Sequence, residues 1–276
     1  MFWERWIAKP LLPKSPSVQL MTDRALHLNE ALGLAVPPLT YVLSRKMEEG
    51  SWFAFRPFTD DADKISRSYE QAVRRMLSPH GSETIIDIGA NIGWHSVWLS
   101  KRVGPSGKVL AVEPEGTNFA ILELNTRLNN LANVISINLA LGSNRGSGRL
   151  FVPRPTLMGQ VTTADSNHQS RFQGSIVTFD TLDNVISAFN FNQVSAIKVD
   201  VEGAELAVIR GAEKTIAKFG PRLIIETHGH DKLVSLKLLL TSMNMRVVSE
   251  IPASSRPDET RSFILATRNL PIAGPS

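Results

Sequence analysis

The chain has 276 residues, of which 42% are hydrophobic and 20% charged, so one α/β domain plus an extension is the simplest division. It contains no cysteine, which excludes disulfide bonds, thiolate catalysis and cysteine-ligated zinc. No apolar stretch approaches the ~20 residues that a membrane-spanning helix needs, so we expect a soluble, cytoplasmic protein. The formal charge of +4 is spread over 30 basic and 26 acidic residues without a basic tract, which argues against a nucleic-acid partner.

Residues 1–82 differ from the rest of the chain and are predicted to form an N-terminal extension, either a helical cap or a substrate-side element. Prolines at positions 10, 13, 16, 37, 38 and 57 keep its segments short, and helices are expected over 23–34 and 68–77. Its aromatic residues are expected to pack against an edge of the core, with substrate contact as the alternative. These residues are Phe2, Trp3, Trp6, Trp52, Phe53, Phe55 and Phe58.

Strand patterns alternate with helical patterns from residue 84 onward. Strands are predicted over 84–89, 108–113, 134–139, 175–179, 195–200 and 222–227, and helices over 94–102, 117–129, 181–189, 204–218 and 231–243. Because this alternation is typical of right-handed βαβ units, residues 83–270 are predicted to form one α/β domain with a doubly wound, seven-stranded, mostly parallel, Rossmann-like sheet. Its last two strands, 245–251 and 261–267, are expected to be antiparallel. The long polar loop over 154–174 is a candidate lid.

The segment TIIDIGANIG, residues 84–93, predicts a nucleotide-type site at the end of a buried strand. Asp87 places a charge in a run that otherwise suits a strand covered on both faces. Gly89 and Gly93 then allow the backbone to turn sharply and approach a ligand closely. Asn91 stands where a dinucleotide-binding GxGxxG loop needs its middle glycine, so the loop predicts a ligand without a diphosphate.

The next predicted strand ends in Glu113, about 20 residues past the glycine turn. This is the offset at which doubly wound folds place the carboxylate that binds ribose hydroxyls. A solvated glutamate at a strand end is the structural alternative. We expect Glu113 to bind the ribose of the ligand.

A second polar cluster follows two later strands. Lys198, Asp200 and Glu202 alternate at the end of one strand, so their side chains should leave the same face. Glu226 and His228 repeat this spacing on the next strand. Because ligands in open α/β sheets bind beyond the carboxyl ends of the strands, these side chains are expected to converge on the crevice of the glycine turn.

Three other roles remain open for this cluster. Asp200 and Glu202 could cap the helix that follows them. Together with Glu226 they could also hold a divalent ion such as Mg²⁺. His228 could be a surface residue at the start of a loop. His95, beside the glycine turn, is expected to serve the start of a helix.

Four segments, DIGANIGWHS, VEPEGTNFAILELNTRLNN, IKVDVEGAELAVIRGA and IIETHG, resemble the FkbM family of S-adenosylmethionine-dependent methyltransferases in order and spacing. The resemblance covers residues 82–230, and the KVDVEGAE segment is its most specific part. It implies the seven-stranded class I methyltransferase fold and methyl transfer, usually to oxygen. It also implies a set of cofactor-binding positions, namely Asp87, Gly89, Ala90, Asn91, Gly93, Glu113, Asn138, Ala140 and Asp200.

The predicted mechanism is attack by an acceptor hydroxyl on the methyl group, with His228 as general base and Glu226 or Asp200 orienting it. The metal set would acidify the acceptor instead if an ion is present. The family acts on hydroxyls of small molecules, sugars and polyketides, so a small-molecule or carbohydrate acceptor is expected. A nicotinamide-dependent oxidoreductase and a non-catalytic binding module are the alternatives.

Overall fold

The structure, a computed structural model, describes residues 26–27, 41–47, 50–56, 61, 71–151, 160–162, 175–253 and 261–269. The strands in these ranges are β1 (Leu26–His27), β2 (Tyr41–Lys46), β3 (Trp52–Phe55), β4 (Thr84–Ile88), β5 (Lys108–Val112), β6 (Val134–Ile137), β7 (Ala140–Leu141), β8 (Gly146–Phe151), β9 (Gln160–Thr162), β10 (Ser175–Asp180), β11 (Ala196–Val199), β12 (Arg222–His228), β13 (Met245–Pro252) and β14 (Arg261–Arg268). The helices are α1 (Gln71–Leu77), α2 (Trp94–Val103), α3 (Gly116–Leu128), α4 (Leu182–Ala188), α5 (Glu205–Arg210), α6 (Glu213–Phe219) and α7 (His230–Ser242).

A seven-stranded sheet with the order β6-β5-β4-β11-β12-β14-β13 forms the centre of the domain. Its pairs are parallel except where β14 meets β12 and β13. The predicted α/β fold with a mostly parallel sheet is therefore confirmed. The final antiparallel pair is also confirmed, and its last strand lies inside the sheet, between β12 and β13.

Alternate residues of β4 enter different parts of the core because successive strand side chains point to opposite faces. Ile86 and Ile88 pack with residues of α4, α5 and α7 on one face. Ile85 packs with residues of α1 and α2 on the other. Helices thus cover both faces, which explains why the strand tolerates so few polar residues.

The predicted helix over 204–218 is divided into α5 and α6. Gly211 lies between them, and a Cβ there would lie 2.0 Å from the carbonyl oxygen of Gly142. The Asp183 carboxylate accepts hydrogen bonds from the amides of Lys214 (3.0 Å) and Thr215 (2.7 Å), which caps the start of α6. The close packing of Gly211 on the Gly142 backbone and the capping of α6 by Asp183 together separate α5 from α6.

The described part of the N-terminal extension contains an antiparallel sheet, β1-β2-β3, and helix α1. The predicted helix over 23–34 is wrong for Leu26 and His27, which form β1, and its other residues lie outside the described ranges. The predicted helix over 68–77 is confirmed for Gln71–Leu77. Whether residues 1–82 act on the substrate side stays a prediction.

Strand β3 packs on helices α2 and α3. Phe53 and Phe55 are buried there with Trp94, and the Phe53 and Trp94 ring centroids lie 4.9 Å apart. The predicted packing role is confirmed for these two phenylalanines. Phe2, Trp3, Trp6 and Phe58 lie outside the described residues.

A second, four-stranded sheet has the order β7-β10-β8-β9. Strand β9 lies within the predicted loop 154–174 and pairs antiparallel with β8, so this part of the loop prediction is wrong. The remainder of 154–174 lies outside the described residues, and its action as a lid stays a prediction. Across the described ranges, none of the helices combines the length and apolarity needed to span a bilayer.

Candidate active site

A crevice of about 1030 Å³, counting space open to solvent, lies beyond the carboxyl ends of β4, β5, β11 and β12. Strand order reverses at β4, since β5 and β6 lie on one side of it and β11 and β12 on the other. Such a switch point is where open α/β sheets bind ligands. The residues that line it include Gly89, Ala90, Asn91, Trp94, His95, Glu113, Asn118, Leu139, Ala140, Leu141, Lys198, Asp200, Glu202, Glu226 and Arg261.

The glycine turn brings backbone to the crevice because its conformation excludes side chains at two positions. Gly89 has a φ of +75°, and a Cβ there would lie 1.8 Å from the carbonyl oxygen of Asp200. Gly93 has a φ of +86°, and its Cβ would meet Leu122 Cδ1 at 2.6 Å. Gly89, together with Ala90 and Asn91, lines the crevice, whereas Gly93 lies behind it and lets α2 pack on α3.

Asp87 lies behind the crevice wall rather than in it. It is fully buried, accepts a hydrogen bond from Ser96 Oγ at 2.6 Å, and lies 3.3 Å from Lys198 Nζ. The same Lys198 amine lies 3.1 Å from Asp200 Oδ2. Burial alone would raise the pKa of Asp200, but Lys198 and a hydrogen bond with Glu226 outweigh it and hold that pKa well below its usual range.

Glu113 joins the glycine turn to the end of β5. Its Oε2 accepts from the Asn91 amide at 2.8 Å, and its Oε1 accepts from the Glu115 amide at 2.9 Å. Burial raises its pKa to about 7, although these two amides and the Asn118 side chain oppose the shift. Together with the Asn118 side chain, these amides use three of the roughly four acceptor sites of the carboxylate, which leaves one for a ligand hydroxyl.

Residues after β6 form an apolar wall of the crevice. Leu139, Ala140 and Leu141 line it. Asn138 does not line it, because its Nδ2 donates to the carbonyl oxygens of Glu113 (2.8 Å) and Pro114 (3.1 Å). Asn138 therefore fixes the ends of β5 and β6 relative to each other, and the wall beside it suits a flat, apolar ring.

His228 lies beside the crevice, between two glutamates. Its Nδ1 is 2.7 Å from Glu205 Oε1 and its Nε2 is 3.2 Å from Glu202 Oε2. Burial would lower the pKa of His228, but Glu205 and Glu202 outweigh it and raise that pKa above its usual value. Glu205, and not Glu226 or Asp200, therefore contacts Nδ1, while Glu226 Oε1 lies 3.8 Å from Nε2.

Arg261 reaches this side of the crevice from β14. It donates to Glu226 Oε1 at 3.3 Å, and its Cα is the register partner of His228.

Within the described residues no group of three or more His, Asp or Glu side chains could hold a metal ion. The proposed set of Asp200, Glu202 and Glu226 therefore gains no support as a metal site.

His95 and Trp94 line the crevice at the start of α2. Burial, with Lys198 and Arg74 nearby, lowers the pKa of His95 well below its usual value, which keeps its imidazole neutral. The sequence predicted His95 only as part of a helix start. Its burial at the crevice could be inferred only from the packing of α1 and β11 around it.

Comparison with known proteins identifies a domain that spans this crevice. The family described as "Methyltransferase FkbM domain" matches residues 87–262, well over half of the chain. "Methyltransferase 1" of Beauveria bassiana is 29% identical over 202 residues, which cover 67% of this chain and 81% of the relative. The hexuronic acid methyltransferase AglP of Haloferax volcanii is 29% identical over 237 residues, covering 82% and 90%.

Among solved structures, the FkbM methyltransferase from Methylobacillus flagellatus aligns with a TM-score of 0.47 at 20% identity, over 66% of this chain and 43% of that one. The residues that line the crevice run from Ile88 to Arg261. All of them fall inside the matched domain.

Proposed function

We propose that this chain, which belongs to the FkbM methyltransferase family, transfers the methyl group of S-adenosylmethionine to a hydroxyl group of an acceptor. The observation that carries the proposal is the anchoring of Glu113, whose two oxygens are each fixed by a backbone amide at the edge of the crevice. A carboxylate held in this way is pre-organised to accept a hydrogen bond from a ribose hydroxyl.

The residues present fit this cofactor. Backbone at Gly89, Ala90 and Asn91 borders the crevice, and Gly89 has no room for a side chain. The apolar wall at Leu139–Leu141 offers a surface for the adenine ring. The bound cofactor would supply a methyl group on a positively charged sulfur, ready for attack by a nucleophile. Asn91 stands where a diphosphate-binding loop needs its middle glycine, which supports this cofactor over a nicotinamide dinucleotide.

His228 is proposed to remove the proton of the acceptor hydroxyl. Glu205 contacts Nδ1, so the neutral imidazole carries its hydrogen there and presents Nε2 as the proton acceptor. Nε2 faces Glu202, a residue of the crevice wall. Nε2 would take the hydroxyl proton while the hydroxyl oxygen takes the methyl group and the demethylated cofactor leaves.

The acceptor side favours a compound with several hydroxyl groups. Asp200, Glu202 and Glu226 line it, and their carboxyl oxygens can accept hydrogen bonds from hydroxyl groups. Hydroxyl donors of a sugar or a comparable small molecule match such a surface. The AglP relative, which its name describes as acting on hexuronic acid, is consistent with a carbohydrate acceptor.

Calorimetric titration with S-adenosylmethionine and with NAD⁺ tests the cofactor. We expect binding of the first and none of the second. A protein that binds only NAD⁺, or neither ligand, would contradict the proposal. Transfer of a labelled methyl group to a panel of sugar, lipid and polyketide hydroxyls then separates an enzyme from a binding module, which would bind the cofactor without turnover.

A further inference from the structure

We infer that Arg56 and Asp61, which precede the matched domain, are positioning residues for the cofactor-binding carboxylate. They fix the side-chain amide of Asn118, and Asn118 in turn holds Glu113. This inference rests on the proposed binding of S-adenosylmethionine at Glu113. It gives the N-terminal extension a role on the cofactor side of the crevice.

Arg56 and Asp61 form a buried pair with a fixed geometry. Their exposed fractions are 3% and 0%. Arg56 Nε donates to Asp61 Oδ2 at 2.7 Å, and Nη2 donates to Oδ1 at 2.8 Å. The Arg56 backbone amide donates to the same carboxylate at 2.9 Å. Two parallel side-chain bonds define the plane of the guanidinium group.

The guanidinium group determines how Asn118 is oriented. Arg56 Nη2 donates to Asn118 Oδ1 at 2.7 Å, and Asn118 is 1% exposed. Because arginine can only donate, the amide must turn its oxygen toward Arg56 and its NH₂ group away. A flipped amide would place two donors against each other. The NH₂ group thereby serves Glu113, with which the Asn118 side chain is hydrogen bonded.

This arrangement favours the ionised form of Glu113. A donated hydrogen bond stabilises the carboxylate, which burial and the neighbouring Glu115 charge disfavour. The other groups that face Glu113 are the backbone amides of Asn91 and Glu115. Asn118 is thus the side-chain donor through which Arg56 can affect the carboxylate.

Buried ion pairs are often replaceable by apolar residues without loss of stability. Packing alone therefore does not account for a charged pair behind Asn118. Strand β3 is also held by two asparagines that follow Asn118 in the chain. Asn125 pairs with the backbone of Ala54. The Trp52 backbone amide donates to Asn129 Oδ1 at 2.9 Å, and Asn129 Nδ2 donates to the Trp52 carbonyl oxygen at 2.7 Å. Asn129 does not line the crevice, which makes it a matched control for loosened docking.

The experiment compares Arg56→Met, Arg56→Lys, Asn118→Leu and Asn129→Ala. Binding of S-adenosylhomocysteine is measured from pH 5.5 to 9, and the Glu113 carboxyl is titrated by NMR in the ligand-free protein. Loss of the hydrogen bond should raise the Glu113 pKa by roughly one unit in Arg56→Met and Asn118→Leu. Binding at pH 7 should then weaken by roughly fivefold and recover above pH 8.5, because less of Glu113 is ionised at pH 7.

Combining Arg56→Met with Asn118→Leu should add nothing to the pKa shift of either variant, since both break one chain of contacts. Asn129→Ala should leave the midpoint unchanged. Arg56→Lys keeps the charge but not the two-donor geometry of the guanidinium group, so it should shift the Glu113 midpoint in the same direction. This variant replaces Arg56→Met in the experiment if Arg56→Met does not fold. An unchanged Glu113 midpoint in the Arg56 variants, or an equal shift in Asn129→Ala, would overturn the inference. Absence of ligand binding by the wild-type protein would overturn the proposed function instead, while the NMR titration would still test the positioning role.

Discussion

The two sides of the crevice are built in different ways. On the cofactor side, the glycine turn and Glu113 are held mainly by backbone contacts at the ends of two adjacent strands. On the acceptor side, side chains from β11, α5, β12 and β14 meet one another, with His228 between Glu202 and Glu205. A backbone position that has no space for a Cβ tolerates few substitutions. The residues of a side-chain cluster can be substituted one at a time.

This difference explains why the methyl donor can be proposed with more detail than the acceptor. The acceptor side holds Asp200, Glu202 and Glu226 with Arg261, so its charge and hydrogen-bonding pattern depend on several ionisable groups at once. Substitutions on the two sides should therefore separate into effects on cofactor binding and effects on turnover.

Gly89→Ala should have the largest effect, because it places a Cβ where the Asp200 carbonyl oxygen already lies 1.8 Å away and at a positive φ. We expect a loss of at least about 3 kcal/mol in the free energy of unfolding, together with loss of cofactor binding. Urea unfolding and calorimetry measure both. Gly116→Ala is the matched control, since nothing lies within 4 Å of its Cβ. Wild-type stability in Gly89→Ala would show that the turn is not as constrained as described.

His228→Ala should leave the cofactor Kd near its wild-type value and lower kcat by roughly a hundredfold to ten-thousandfold, the usual contribution of a general base. Glu123→Gln, at an exposed ion pair on α3, is a control that should not change kcat. Turnover is measured with and without a chelator, alongside Asp200→Asn. Undiminished turnover in His228→Ala would exclude it as the base, and inhibition by the chelator would bring back a metal-assisted mechanism.

Glu113→Gln tests the cofactor side without changing the shape of the residue. Hydrogen bonds to a charged group contribute about 1.5–3 kcal/mol, so affinity above pH 8 should fall by roughly tenfold to a hundredfold. Wild-type affinity should rise as pH passes through about 7, the pKa of buried Glu113, because the ionised carboxyl accepts a hydrogen bond from a ribose hydroxyl more strongly than the neutral one. That rise should disappear in Glu113→Gln. Calorimetry across pH 6–9 checks it, and an unchanged pH profile would show that another group controls binding.

The glycine turn and the position of Glu113 beside it could be predicted from the sequence because each part is local. Glycines in a turn and a carboxylate at the next strand end follow from strand patterns alone. Asp87 was correctly identified as a charge in a buried strand, but its contact with Lys198 depends on the pairing of β4 with β11. Arg261 could not be predicted, since its position beside His228 follows from the insertion of β14 next to β12.

The contact of Glu205 with His228, like the position of Arg261, could not be predicted from the sequence. Alternation along a strand indicates Asp200 and Glu202, whereas the Glu205 carboxylate reaches His228 from the first turn of α5. A Glu three positions after Glu202 was visible in the sequence. Its partner was not, because the contact joins two elements that are 23 residues apart.

Glu205→Gln should have the smallest effect and gives the sharpest test of how the acceptor side is organised. Glu205 is among the groups that raise the pKa of His228, so removing its charge should lower that pKa. Because the base must be neutral, activity rises as pH increases through the His228 pKa. The acidic limb of the kcat profile should therefore move to lower pH. Glu250→Gln, at an exposed ion pair with Lys237, should leave the limb in place. A limb that stays fixed in Glu205→Gln while His228→Ala is inactive would mean that the His228 pKa is set by Glu202 and not by the residue on Nδ1.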